Sequence, residues 1–222
     1  MADPMATTLR AGLDHLVRGN LRGMWLRGTL PAGPFVYAAN HHSWWDPFIA
    51  AAALGRHRLA CLLMDQDNLT QFPFVRRLGV FGSREPRTGL RHLTDGRVLI
   101  IFPEAHLRPA GPLAPLADGA AWYSIRARVP LVAVAARVAL RGHQAPEAYL
   151  QAVNVDAVAD IAKLTQRLGE NLRHELDLLD GELASSDPRQ PLSGFRCVVH
   201  GKRSWDERLT RRSARRSARW SW

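Results

Sequence analysis

The sequence predicts an α/β fold in which a mixed central sheet is flanked by helices, with a helix ahead of the sheet and a basic tail behind it. From residue 35 onward, short apolar runs alternate with longer mixed segments, as is typical of strands covered by helices. Near the end of this pattern, leucines recur at every fourth position and predict one long amphipathic helix. That stripe consists of Leu164, Leu168, Leu172 and Leu176.

The first 30 residues are predicted to form an amphipathic helix and an extended lead-in. The helix is predicted from an apolar stripe at helical spacing, and Arg10 and Arg18 lie away from that stripe. A helix of this kind can lie in a membrane interface or pack on its own domain, and the sequence leaves both interpretations open. The stripe consists of Leu9, Leu13, Leu16 and Val17.

Residues 31–184 form the predicted central domain. Strands are predicted at residues 35–39, 58–64, 80–81, 98–102, 131–138 and 148–153. Helices are predicted at residues 47–54, 69–78, 87–93, 118–128 and 161–183. The first of these helices starts with Pro47 behind a candidate cap at Asp46, and the second is broken near Pro73.

Residues 185–222 are predicted to be a loop followed by a basic tail. Arg211, Arg215 and Arg219 recur at every fourth position, and a helix here would carry one basic face ending in Trp220 and Trp222. Arginines beside interfacial aromatic side chains suit an anionic membrane surface, and they also suit nucleic acid. A solvated tail without regular structure is the third interpretation.

The chain has 222 residues and a formal net charge of +10, which favours anionic partners such as lipid headgroups, phosphorylated substrates or nucleic acid. No motif of a DNA- or RNA-binding module accompanies this charge, so we do not expect a nucleic-acid partner. Cys61 and Cys197 are too few and too far apart for a disulfide scaffold. The sequence contains no cluster of cysteines and histidines that would predict a metal site.

The apolar runs of the sequence bear on its location. The longest of them fall well short of the roughly 20 residues that cross a bilayer. The amino-terminal residues also lack the charged-then-apolar pattern of a secretory signal. We therefore expect a cytoplasmic protein without a membrane span, which can still lie on a membrane surface.

The segment with the most chemistry is residues 40–47, NHHSWWDP, which follows a predicted strand. Loops at the carboxyl ends of strands are where α/β folds usually place catalytic groups. A tight turn between His41 and Asp46 can bring the carboxylate onto the imidazole, fix its tautomer and leave the other ring nitrogen as a base. Because adjacent side chains tend to point apart, His41 and His42 are not expected to chelate a metal together.

This segment resembles the first motif of the glycerolipid acyltransferase family, the lysophosphatidic acid (PlsC-like) group. That motif consists of a histidine, four residues and an aspartate, usually written NHxSxxD. Asn40, His41, Ser43 and Asp46 all match it. The second motif of the family, a glycine, an apolar stretch and an arginine, is similar to residues 79–84, GVFGSR, which end in Arg84.

The third motif of the family is FPEGTRS, followed by a glycine, a leucine and a glycine. Residues 102–104 match its FPE, whereas Ala105, His106 and Leu107 replace its glycine, threonine and arginine. Arg108 lies one place later and can substitute for the arginine. Gly111, Leu113 and Gly119 fall at the downstream positions, and residues 129–132, VPLV, are similar to the fourth motif.

The resemblance, which spans about residues 28–138, implies an O-acyltransferase domain at 31–184. In such an enzyme His41 removes a proton from an acceptor hydroxyl, which attacks the thioester of acyl-CoA or acyl carrier protein, and Asp46 orients that histidine. No cofactor is implied beyond this co-substrate. The substrate-binding residues carried over from the family are Ser43, Arg84, Glu104 and Arg108.

The acceptor implied by the resemblance is a lysophospholipid such as 1-acyl-glycerol-3-phosphate, used in phospholipid biosynthesis on the inner face of the cell membrane. Because the third motif departs from the family pattern, a lipid without phosphate, such as a glycolipid, an aminolipid or a pigment, is an alternative acceptor. A non-catalytic basic protein that binds membrane or nucleic acid is the alternative from another functional class.

Overall fold

The computed structural model describes residues 4–55 and 58–210, and at its centre lies one eight-stranded sheet. The strands are β1 (Gly23–Arg27), β2 (Val36–Ala39), β3 (Ala60–Met64), β4 (Val80–Gly82), β5 (Val98–Ile101), β6 (Leu131–Ala139), β7 (Glu147–Val155) and β8 (Arg196–His200). The helices are α1 (Pro4–Asn20), α2 (Asp46–Ala53), α3 (Gln66–Gln71), a 3₁₀ helix (Pro73–Leu78), α4 (Pro86–Thr94), α5 (Gly119–Ala127) and α6 (Ile161–Ser185).

The strand order across the sheet is β4-β3-β5-β2-β6-β7-β1-β8. The five strands from β4 to β6 pair in parallel. β7 runs antiparallel to β6, and β8 runs antiparallel to β1. Because β2, β4, β5 and β6 are parallel, the loops that leave their carboxyl ends all emerge at one edge of the sheet. We call this edge the carboxyl edge.

The side chains of the central strands alternate between two apolar layers. Along β2, Tyr37 and Ala39 belong to the core that contains residues of α1 and α2. Val36 and Ala38 belong to the opposite core, which contains residues of α4, α5 and α6. This period of two places the sheet between helical layers that bury both its faces.

The predicted α/β class with a mixed central sheet is confirmed, and each strand and helix predicted between residues 35 and 183 overlaps an observed element. The leucine stripe of α6 is buried. Two regions outside this range differ from the prediction. β1 lies in the expected extended lead-in, and β8 lies where a loop and tail were expected. Both strands are only five residues long, and it is their pairing with distant parts of the chain that makes them strands.

The two ends of the chain were open questions in the sequence. The structure packs α1 against α2 and the 3₁₀ helix, with Val17 fully buried, which favours packing on the domain. The predicted basic face with Arg211, Trp220 and Trp222 lies outside the described residues. Within the described part of the chain, the helices are too short or too polar to cross a bilayer.

Candidate active site

The residues predicted to do chemistry lie in loops at the carboxyl edge. Asn40 and His41 follow β2, Arg84 follows β4, and Glu104 follows β5. β4 is three strands away from β2 in the sheet order, so about 14 Å separates their axes at a spacing of roughly 4.8 Å per strand. The edge therefore has a His41 end and an Arg84 end.

At the His41 end, the structure brings His41 and Asp46 together. Nδ1 of His41 lies 3.0 Å from Oδ2 of Asp46. The carboxylate can only accept, so Nδ1 carries the ring proton and Nε2 keeps its lone pair. The His41 ring also stacks on Phe102, with 4.5 Å between ring centroids. Its side chain is 19% exposed, whereas that of Asp46 is 2% exposed, so the imidazole is accessible from solvent and the carboxylate beside it is sealed.

Asp46 also organises the turn that carries the histidine. Its Oδ2 accepts hydrogen bonds from the backbone N–H groups of His42 and Ser43, both at 2.8 Å. The sequence predicts Asp46 as the cap of α2, but this prediction is wrong, since Trp45 holds the cap position and Asp46 is already helical. Its carboxylate turns back to the loop instead. One carboxylate thus fixes both the loop backbone and the imidazole.

Asn40 anchors the start of the same loop to β6. Its side chain donates from Nδ2 to the carbonyl of Ala136 at 3.1 Å and accepts from the N–H of Ala136 at 2.7 Å. This pair of bonds extends the β2–β6 pairing one residue beyond the strand. Because Asn40 is fully buried, leaving its amide unpaired would be unfavourable. The two bonds therefore fix the position at which the loop leaves β2.

Glu104, predicted to bind the acceptor, is buried against the loop, and its carboxylate is held by the protein. Oε1 accepts from the backbone N–H of His41 at 2.8 Å, and Oε2 accepts from the N–H of Ala114 at 2.9 Å. The Nε2 of His42 lies 3.2 Å from the same carboxylate. With a side chain that is 0% exposed, Glu104 is placed to support the loop rather than to meet a ligand.

Sequence reasoning missed His42, Arg137 and Asp180, which form the far side of this cluster. Nη1 of Arg137 lies 2.8 Å from Nδ1 of His42. The guanidinium also binds Asp180 of α6 through Nε at 2.6 Å and Nη2 at 2.7 Å. The available signal was Arg137 itself, a single cation inside the apolar strand LVAVAARVA, since a buried charge requires partners.

The remaining residues of the first and third motifs contribute mainly to the conformation of the loops. The hydroxyl of Ser43 accepts from the N–H of Trp45 at 3.2 Å, so it stabilises the turn. The N–H of Arg108 donates to the carbonyl of His41 at 2.8 Å, while its side chain is exposed. Ala105, where the family has glycine, adopts a left-handed φ of 63°, a conformation that glycine takes without strain.

At the Arg84 end, the predicted arginine is exposed. Within residues 4–55 and 58–210, its guanidinium has no hydrogen-bond or ion-pair partner. Gly79 positions the strand ahead of it, because it ends the 3₁₀ helix with a φ of 90°, which strongly favours glycine. Arg84 is therefore a cation that the described structure leaves available at the same edge as His41.

Two further groups surround the pair. Trp44 is exposed, and its ring packs against Trp45 and Phe48 at centroid distances of 5.3 and 4.6 Å. On the core side, Tyr37 is buried, and its hydroxyl has no hydrogen-bond partner among the described residues. Burial, together with the negative charge of Asp46, raises the pKa of Tyr37 well above its usual range, so this hydroxyl stays protonated.

Comparisons with known proteins identify the family of the chain and a structure of similar fold. A family model described as Acyltransferase matches residues 25–137, just over half of the chain. No curated protein matches the chain significantly. Among solved structures, the chain is similar to the 1-acyl-sn-glycerophosphate (LPA) acyltransferase PlsC from Thermotoga maritima, with 15% sequence identity and a TM-score of 0.59 over 81% of this chain and 84% of that chain. At this identity the likeness shows a shared fold. Because this family model matches more than half of the chain, in a region that includes the His41–Asp46 loop, the chain belongs to the acyltransferase family.

Proposed function

We propose that this acyltransferase moves a fatty acyl group from a thioester donor, acyl-CoA or acyl carrier protein, to a lipid hydroxyl, with His41 as the general base. One observation carries the proposal: the imidazole is hydrogen-bonded to Asp46 at 3.0 Å while remaining partly exposed. A histidine whose Nδ1–H is held by a carboxylate presents Nε2 as a base of suitable strength near neutral pH.

In the proposed reaction, Nε2 of His41 takes the proton of the acceptor hydroxyl as its oxygen attacks the thioester carbonyl. Asp46 stabilises the imidazolium that forms. When the tetrahedral intermediate collapses, the carbon–sulfur bond breaks and the thiolate receives a proton from His41. The products are an ester and the free thiol of the donor, and the histidine returns to its starting state.

Direct transfer between donor and acceptor fits the residues around the site. Cys61 is 1% exposed in β3, and burial raises the pKa of its thiol to about 12, so it is a poor nucleophile. The hydroxyl of Ser43 is used in the turn ahead of α2. We therefore propose that donor and acceptor are bound together and that no acyl-enzyme forms.

The first test replaces the base. His41→Ala should lower thioester consumption by about 10²–10⁴-fold, the usual contribution of a general base. Release of the donor thiol, followed with a chromogenic thiol reagent, measures the reaction. His174→Ala, at an exposed position of α6, is the matched control and should keep wild-type turnover. Unchanged turnover in His41→Ala would contradict the proposal.

For the acceptor, we propose a lysophospholipid with a phosphate, such as 1-acyl-glycerol-3-phosphate. The support is Arg84, an unpaired cation of the described structure at the carboxyl edge, since a guanidinium binds phosphate through paired hydrogen bonds. The Thermotoga protein of similar fold is a 1-acyl-sn-glycerophosphate acyltransferase, which agrees with this choice. The side chain of Arg108 is also exposed and is a second candidate for the same group.

A lipid acceptor without phosphate is the second candidate. It is favoured by the third-motif loop, in which Glu104 is committed to protein contacts and Leu107 is exposed where the family has arginine. A panel of acceptors with one labelled acyl-CoA separates the two. Transfer to lysophosphatidic acid but not to its dephosphorylated analogue supports the phosphate acceptor, and the reverse result supports the alternative.

We also propose that the enzyme binds membranes peripherally, with α1, α2 and the 3₁₀ helix facing the lipid. Trp44 is 59% exposed and Phe74 of the 3₁₀ helix is 53% exposed, and aromatic side chains of this kind favour the lipid–water interface. Trp44→Ser combined with Phe74→Ser should reduce sedimentation with anionic phospholipid vesicles. Leu178→Ser, on the opposite layer at α6, is the control, and equal binding by all three proteins would contradict this orientation.

A further inference from the structure

We propose that Arg137 is a positioning residue of the acyltransferase, which acts on His41 through His42 and Glu104. This inference rests on the proposed role of His41 as the base. It concerns residues outside the His41–Asp46 pair, and it assigns a role to the second histidine of the first motif. The observation behind it is an unbroken series of hydrogen bonds from α6 to the backbone of His41.

The first step concerns the burial of Arg137. It lies near the carboxyl end of β6, and it is 8% exposed. Asp180 holds its guanidinium in a two-point contact at 2.6 and 2.7 Å. The Asp180 side chain is 48% exposed, so most of the desolvation falls on the arginine. Burying a charge is unfavourable, and an apolar side chain would usually be as stable or more so at such a position.

The second step is that Arg137 selects the tautomer of His42. A guanidinium can only donate, so its Nη1 at 2.8 Å requires a lone pair on Nδ1 of His42. The ring proton therefore lies on Nε2, where it points at the carboxylate of Glu104 at 3.2 Å. The side chains of His42 and Glu104 are 3% and 0% exposed, so water does not compete for these contacts.

The third step connects this series of hydrogen bonds to the backbone of His41, the proposed base. The Glu104 carboxylate accepts hydrogen bonds from the backbone N–H of His41 at 2.8 Å and from that of Ala114 at 2.9 Å. Arg137 also donates from Nη2 to the carbonyl of Gly111 at 3.4 Å. The loops after β2 and β5 are thus held to each other and to α6 through Arg137. Asp46 orients the ring of His41 from one side, and Glu104 fixes its backbone from the other.

Because the network reaches the backbone of the base and not the substrate, its loss should lower kcat rather than raise the KM for the acceptor. A displacement of about 1 Å at a catalytic group lowers the rate by as much as about 10²-fold. We therefore expect Arg137→Met to lower kcat by about 10- to 100-fold, with the KM for the acceptor within about twofold of wild type. Rates are compared per folded protein, well below the melting temperature.

A matched pair of variants at His42 separates positioning from packing. The amide of glutamine can accept from Arg137 and donate to Glu104, as the neutral imidazole does, so His42→Gln should keep kcat within a few-fold of wild type. His42→Leu fills a similar volume without either bond and should lose about as much as Arg137→Met. Equal activity of the Gln and Leu variants would show that His42 only fills space, and would overturn the inference.

A second readout does not depend on turnover. In ¹⁵N-detected NMR of the labelled wild-type chain, the His42 ring should carry its proton on Nε2, with an unprotonated Nδ1. A proton on Nδ1, or kcat unchanged in Arg137→Met, overturns the role of Arg137 while leaving the proposed function intact. Loss of turnover in Arg137→Met, with turnover retained in His42→Gln, supports the positioning role of Arg137. If the wild-type protein consumes no thioester with any acceptor, the proposed function fails and this inference fails with it.

Discussion

The two ends of the carboxyl edge differ in how fully their polar groups are paired. At the His41 end, Asp46 and Glu104 each hold both backbone and imidazole groups. At the Arg84 end, the guanidinium is exposed and has no partner among the described residues. A base must be oriented before the substrate arrives, because reorganising it during the reaction would raise the barrier. A binding cation can remain solvated until the ligand displaces water.

The comparison also separates residues by how they can be changed. Pairing at the His41 end is buried, so a single substitution leaves unsatisfied groups and affects both stability and rate. The Arg84 side chain projects into solvent, so its loss should affect binding alone. Three substitutions, taken from the largest expected effect to the smallest, can break or sharpen this contrast.

The largest effect is expected for Asp46→Asn. The three contacts of Asp46 with the loop converge on Oδ2, so an amide oxygen placed there can keep the backbone bonds and the contact with Nδ1–H of His41, but it carries no charge to stabilise an imidazolium. Without that charge the protonated form of the proposed base is not stabilised, and kcat should fall by about 10²- to 10⁴-fold, up to the whole contribution of a general base. Steady-state thiol release measures this loss, and circular dichroism checks that the fold is retained. A decrease of less than tenfold would show that the charge of Asp46 does not support the proposed base.

A smaller and different effect is expected for Arg84→Met. Loss of a charge-assisted contact of about 1.5–3 kcal/mol should raise the KM for a phosphate-bearing acceptor by about 10- to 100-fold. The melting temperature should hardly change, since exposed substitutions usually alter stability by less than about 0.5 kcal/mol.

The matched control for Arg84 is Arg126→Met. This arginine is also exposed, but it lies in the last turn of α5, which leads into the amino end of β6 at the opposite edge. Its loss should leave the KM for the acceptor unchanged. Equal changes in the two variants would mean that only net charge matters, and the Arg84 end would have no specific role in binding.

The smallest effect concerns pH and His92, which lies in the last turn of α4 with its ring 5.7 Å from that of Phe81. Burial, together with the nearby Arg97, lowers the pKa of His92 from its usual value of 6.5. The unfolded chain therefore binds this proton more readily, and the stability linked to His92 is present above about pH 6.5 and is lost as the pH falls through the lowered folded pKa.

His92→Gln removes this titration. Urea unfolding at pH 7.5 and at pH 5 should show a smaller loss of stability on acidification in His92→Gln than in wild type. The difference between the two proteins isolates His92 from the other histidines. An equal or larger loss in the variant would show that His92 does not contribute to the acid sensitivity of the fold.

Local patterns in the chain were sufficient for most of the fold. Short unbroken apolar runs located β2 and β5, which are buried at every position. The leucine stripe located α6, which buries side chains at a regular helical period. The strands β1 and β8 escaped prediction because each is short and pairs with residues far away in sequence. The His41–Asp46 spacing pointed to a turn that the structure contains, since five residues suffice for the two side chains to meet.

The sequence by itself determined the α/β class, the order of the central elements and the residues that belong to the first motif, because each depends on neighbours along the chain. Only the tertiary structure decided that Glu104 turns inward to the His41 backbone, that Arg137 reaches His42, and that Arg84 stays exposed. The Glu104–His41 and Arg137–His42 contacts join residues that are 63 and 95 positions apart. Burial and hydrogen-bond geometry at such separations are set by the packing of β2, β5, β6 and α6 and leave no periodic signal in the sequence.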